Sequence, residues 1–87
     1  MGYKLVYTRQ AAKDAKKLEK AGLDRKAREL LKVIKENPFQ SPPPYEGLKG
    51  DLKGAYARRI NVQYRIVYEV FRDERVVKIL RMWTHYE

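Results

Sequence analysis

A chain of 87 residues with a net charge of +9 and no Cys is long enough for one domain, but it has no disulfide framework. A single His and scattered carboxylates leave no zinc-type ligand set, and no apolar run approaches the roughly 18 residues that a membrane span requires. The expectation is a soluble, cytoplasmic, metal-free domain over residues 1–87, whose 20 Lys and Arg against 11 Asp and Glu draw polyanions.

In chain order, Tyr3, Leu5 and Tyr7 alternate with Lys4 and Val6. This is the period of a half-buried strand and not the apolar core of a signal peptide. Thr8 is placed to cap a helix whose Ala11, Ala12, Ala15 and Leu18 form one stripe, and Gly22 to end it in a left-handed turn. Asp24 then caps a second helix with Ala27, Leu30, Leu31 and Ile34 on its apolar face, stopped by Asn37-Pro38. Small Ala contacts favour an antiparallel helix pair.

Residues 38–54 hold four Pro and three Gly, which predicts a long irregular loop of the kind that often carries function. Three strands follow, near Ala55–Ile60, Tyr64–Phe71 and Val76–Trp83, joined by short connections into an antiparallel meander. The expected fold is α+β: strand, helix, helix, then three strands, with both helices on one face of a four-stranded sheet. In the middle meander strand Arg65, Val67, Glu69 and Phe71 share the face opposite Tyr64, Ile66, Tyr68 and Val70. Arg65 there serves either an anion site or an ion pair with Glu69.

Charge distribution separates the two halves. Residues 1–37 carry 11 basic and 5 acidic side chains, much of this on the helices as a solvated face. Residues 38–87 carry 9 and 6, and most of those cations are Arg, whose planar fork suits phosphate. Arg58 and Arg59 are adjacent on a strand, so only one of the two can face a ligand.

The reactive inventory is short: one Ser (Ser41), one His (His85), no Cys and no Gly-rich phosphate loop. This disfavours a Ser-His-Asp apparatus. RNA cleavage by attack of the 2′-hydroxyl on its own 3′-phosphate needs only a base, an acid and cations. Glu46, His85 and the Arg set could supply these.

The segments Pro38-Phe39, Glu46-Gly47-Leu48-Lys49, Leu52-Lys53-Gly54-Ala55-Tyr56-Ala57-Arg58-Arg59-Ile60, Tyr64-Arg65-Ile66-Val67-Tyr68 and His85-Tyr86 resemble the Txe/YoeB toxins of the RelE-like superfamily. The likeness runs in order over nearly the whole chain. It implies a bacterial type II toxin: a ribosome-dependent mRNA endoribonuclease acting in the ribosomal A site, without cofactor, held inactive by a cognate antitoxin. It also allows for homodimers, which occur among such toxins. By the resemblance Glu46 is the general base, Arg65 the phosphate-stabilising cation, His85 the general acid and Tyr86 an orienting residue. Lys49 and Arg59 contact substrate phosphates, with Lys53, Arg58 and Arg81 as further RNA-binding cations. The chain departs from the family in having Tyr56 and Ala57 before the double Arg. It also carries extra residues in Arg81-Met82-Trp83-Thr84 before His85, so the last strand must bulge or extend to bring His85 beside Arg65. The alternative is a non-catalytic relative that binds an antitoxin or protein target, or serves as co-repressor.

Overall fold

The computed structural model describes residues 2–84. Its elements are β1 (Lys4–Tyr7), α1 (Arg9–Lys20), α2 (Asp24–Glu36), β2 (Glu46–Gly47), a 3-10 turn (Gly50–Leu52), β3 (Ala55–Arg59), β4 (Arg65–Phe71) and β5 (Val76–Thr84). They form one sheet in the order β1-β5-β4-β3-β2, with β1 parallel to β5 and the other pairs antiparallel. The sheet therefore has five strands and not four. The fifth is the two-residue β2, which forms inside the stretch expected to be irregular because Glu46 and Gly47 pair with Ala57 and Tyr56.

The helix ends follow local chemistry. Thr8 Oγ1 accepts a hydrogen bond from the Ala11 N–H at 3.0 Å and donates to the Leu80 carbonyl at 2.8 Å, so one hydroxyl caps α1 and ties it to β5. At the other end the Gly22 N–H bonds to Glu19 O and the Leu23 N–H to Leu18 O. Gly22 sits at φ +75°, where a Cβ would be strained, completing a Schellman turn. Contrary to the expectation from the sequence, Asp24 does not cap α2. Leu23 occupies that position without a side-chain bond, and Asp24 lies in the first turn, paired with Arg28 at 3.0 Å.

Both helices cover one face of the sheet. Ala11 and Leu18 of α1 and Ala27, Leu30 and Ile34 of α2 pack with Ile66, Tyr68, Val77, Ile79 and Met82. A smaller cluster of Leu48, Ala55, Ala57 and Val67, with Leu80 against it, occupies the opposite face. The alternation in β4 is thus as the sequence requires, with Ile66 and Tyr68 under the helices and Val67 away from them. The stripe on α1 differs from expectation: Ala12 is exposed, and the buried position is Asp14.

Asp14 is buried because β5 is irregular. The strand runs in register with β4 from Phe71↔Val76 to Tyr68↔Ile79, then slips between Tyr68 and Val67 and again between Val67 and Arg65. The slips absorb the extra residues of β5 and leave Thr84 opposite Arg65. In this bulged stretch the Met82 N–H bonds to Asp14 Oδ2 at 3.0 Å, Arg81 Nε donates to the same oxygen at 2.8 Å, and Gln10 donates to Oδ1. Burial pushes the Asp14 carboxyl up, but the bonds from Arg81, the Met82 N–H and Gln10, with the Arg81 charge, outweigh it, and the net is a lowered pKa.

Asp14→Ala is expected to destabilise the domain by about 2 kcal/mol near neutral pH, the scale of charge-assisted hydrogen bonds with a partly exposed partner. Because the folded value is depressed, this stabilisation is complete above the unfolded carboxyl value of about 3.9 and is lost as pH falls through the lower folded value. Urea melts of both proteins from pH 7 to pH 2 check this. A stability difference that grows toward acid would contradict it.

Candidate active site

The helix-free face of the sheet carries the site. Asn61 starts it, accepting bonds from the Gln63 and Tyr64 N–H groups through Oδ1, both at 2.8 Å, while the Ile60 N–H bonds to the Tyr64 carbonyl. This tight turn sets Arg59 directly opposite Arg65 across β3 and β4. Like charges in cross-strand register repel, so the pair is costly unless an anion lies between or beside them. Ala57, two residues earlier on the same face, pairs with Glu46 of β2. The Leu48 N–H bond to Ala55 O, at 2.9 Å, continues that edge.

Glu46 Oε1 lies 3.9 Å from Arg65 Nε, with the carboxylate side chain 57% exposed and the arginine only 16%. The cation is thus built into the sheet while the acid reaches solvent. A cleft of about 380 Å³ opens beside them, lined by Pro44, Tyr45, Glu46, Ala57, Arg59 and Arg65. Its chemistry is a carboxylate and two guanidinium groups at the mouth of a partly apolar hollow. That combination can hold a phosphate and take a proton from a neighbouring hydroxyl. The ion-pair partner of Arg65 among the described residues is Glu46 across the sheet edge, and not Glu69 along its own strand.

The other residues expected at the site divide. Lys49 and Lys53 are exposed and bracket the 3-10 turn that follows β2. Arg81 is half-exposed, with its Nε committed to Asp14 on the helix side. Arg58, expected among the RNA contacts, is instead buried: it is 1% exposed and points to the helix side, next to Tyr68. Alternation along β3 forces this, since Arg59 takes the cleft face. His85 and Tyr86, expected as acid and orienting residue, lie outside the described residues. Thr84, the residue before His85 in the chain, is the one paired with Arg65.

Sequence reasoning missed two supporting residues. Asp14 left a readable signal, an acid three residues after Ala11 and four before Leu18 on an apolar stripe. Tyr68 left none beyond its alternation. Its hydroxyl is buried, which raises its pKa despite the Arg58 charge and hydrogen bond beside it.

Comparison with known proteins places this geometry. The chain matches the family model described as YoeB-like toxin of bacterial type II toxin-antitoxin system over residues 5–86. It is 36% identical over 58 residues to the toxin YoeB of Synechocystis sp., an alignment spanning 67% of this chain and 65% of that protein. Among solved structures, the YoeB/ParE toxin from Agrobacterium tumefaciens superposes with a TM-score of 0.86 at 30% identity, covering 95% of this chain and 99% of that one. YoeB from Staphylococcus aureus, solved with YefM, gives a TM-score of 0.81 at 32% identity, covering 99% and 100%. The same toxin has also been solved as a dimer. In the described residues no helix is long and apolar enough to cross a membrane. With the family model spanning nearly the whole chain and the fold matching throughout, this protein belongs to the YoeB-like toxins of bacterial type II toxin–antitoxin systems.

Proposed function

We propose that residues 1–87 act as a single cytoplasmic toxin domain that cleaves mRNA in the ribosomal A site by a metal-independent mechanism. Glu46 takes the proton of the 2′-hydroxyl, which then attacks the adjacent phosphorus. Arg65 carries the charge that develops on the phosphoryl oxygens, and His85 protonates the departing 5′-oxygen, with Tyr86 orienting the site. The products are a 2′,3′-cyclic phosphate (or the 3′-phosphate from its hydrolysis) and a 5′-hydroxyl. Arg59, Lys49 and Lys53 hold flanking phosphates, and the net charge of +9 steers the domain to ribosomal RNA.

The observation that carries this reading is the Glu46–Arg65 pair, 3.9 Å apart on the rim of the cleft, with Arg59 set directly across from Arg65. A base and a cation side by side on one rim can serve the same phosphodiester, the carboxylate facing the 2′-hydroxyl and the guanidinium the phosphoryl oxygens. The S. aureus relative is bound by YefM, so an antitoxin is the proposed inhibitor here, and a dimer like that relative's is the proposed assembly.

Cleavage of a minimal RNA at high enzyme concentration should persist in excess EDTA and leave 5′-hydroxyl ends. Activity that returns only with an added divalent ion would overturn the base and acid assignments.

A further inference from the structure

Arg58 is a buried guanidinium whose hydrogen-bonding partners come from one hydroxyl and a loop. Its Nε donates to the Tyr68 hydroxyl at 3.0 Å, and its terminal nitrogens donate to the carbonyls of Pro43 at 2.6 Å, Gln40 at 2.8 Å and Pro38 at 3.0 Å. The Tyr68 hydroxyl in turn donates to Pro38 O at 2.8 Å. The guanidinium carbon also lies 5.0 Å from the centre of the Tyr45 ring. These contacts span residues 38 to 45, the segment that leads directly into Glu46. Pro42, Pro43 and Pro44 have no N–H, so this run of the loop offers no backbone donors of its own. A rigid five-donor fork can reach three diverging carbonyls at once, whereas a point-like ammonium cannot.

We infer that Arg58 is a positioning residue for Glu46, clamping the proline-rich loop from behind the sheet so that the carboxylate stays opposite Arg65, and that it makes no contact with RNA. The neighbouring residue Ala57 pairs with Glu46 along the sheet edge, so positions 57 and 58 hold adjoining parts of the same segment. Phe39, Tyr45 and Tyr56 pack edge to face beside the clamp, with ring centres 5.2–6.0 Å apart, and of these Tyr45, with Pro44, lines the cleft. The inference rests on Glu46 acting as the base.

The test is Arg58→Lys, which keeps the charge and removes the fork. Amide hydrogen exchange of the protein alone should rise about tenfold or more at residues 40 and 45–48 and stay unchanged in β4 and β5. On programmed ribosomes kcat should fall roughly 10–100-fold while KM stays within about twofold, the pattern of a displaced catalytic group. A raised KM at wild-type kcat would make Arg58 an RNA contact and overturn the inference, as would unchanged exchange in the loop. If Arg58→Lys does not fold, Tyr68→Phe, which removes one acceptor and the bond to Pro38, must show the same pattern at smaller size. Wild-type protein that cuts nothing would defeat the proposed function, and the exchange result would still decide whether Arg58 clamps the loop.

Discussion

Arg65→Ala should lower cleavage about 10²–10³-fold, the usual loss when one preorganised donor to developing charge is removed. The loss should fall on kcat, because Arg59 and the lysines remain to bind phosphate. Arg65→Lys should recover little, since an ammonium lacks the bidentate geometry of the fork. Folding should survive. The Arg65–Glu46 contact is long at 3.9 Å, and its acid is more than half exposed, so the pair adds little stability. Relief of the cross-strand repulsion with Arg59 offsets part of even that. Thermal melts within a few degrees of wild type, together with single-turnover cleavage, check both halves. An unfolded Arg65→Ala protein would mean that the residue is structural.

His85→Ala is expected to cost about 10²–10⁴-fold, the range for general acid–base assistance. The chain has one imidazole, and no other side chain has an unperturbed pKa that readily donates a proton near neutrality. Deleting residues 85–87 should reproduce the loss, with folding checked by a thermal melt beside it. Full activity in His85→Ala would remove the residue from the mechanism and leave the acid to be found elsewhere.

Much of this fold could be read from the sequence because its signals are local. Thr8, Gly22 and Asn37-Pro38 mark helix ends by capping and backbone chemistry, and the alternation in β4 fixes which face each side chain takes. The features that were not legible depend on partners far along the chain. Glu46-Gly47 is a strand because β3 offers it an edge, which nothing in a Pro- and Gly-rich stretch reveals. The buried role of Arg58 depends on carbonyls 15 to 20 residues before it, and in sequence it cannot be told from Arg59. For Asp14 the place on the apolar stripe was legible, but its partner, a bulge 68 residues later, was not. The extra residues before His85 did signal that bulge, since a strand that must reach Arg65 with added length has to slip in register.

Cleavage of RNA on the ribosome by the Glu46–Arg65 cleft is open to direct measurement. Wild-type protein and Glu46→Gln are incubated with programmed ribosomes, and new 5′-hydroxyl ends are mapped on the mRNA. Ends within the A-site codon are expected for wild type, with a loss of about 10²-fold or more for Glu46→Gln, which cannot take the proton. Ends of equal intensity with both proteins, or none with folded wild type, would contradict it.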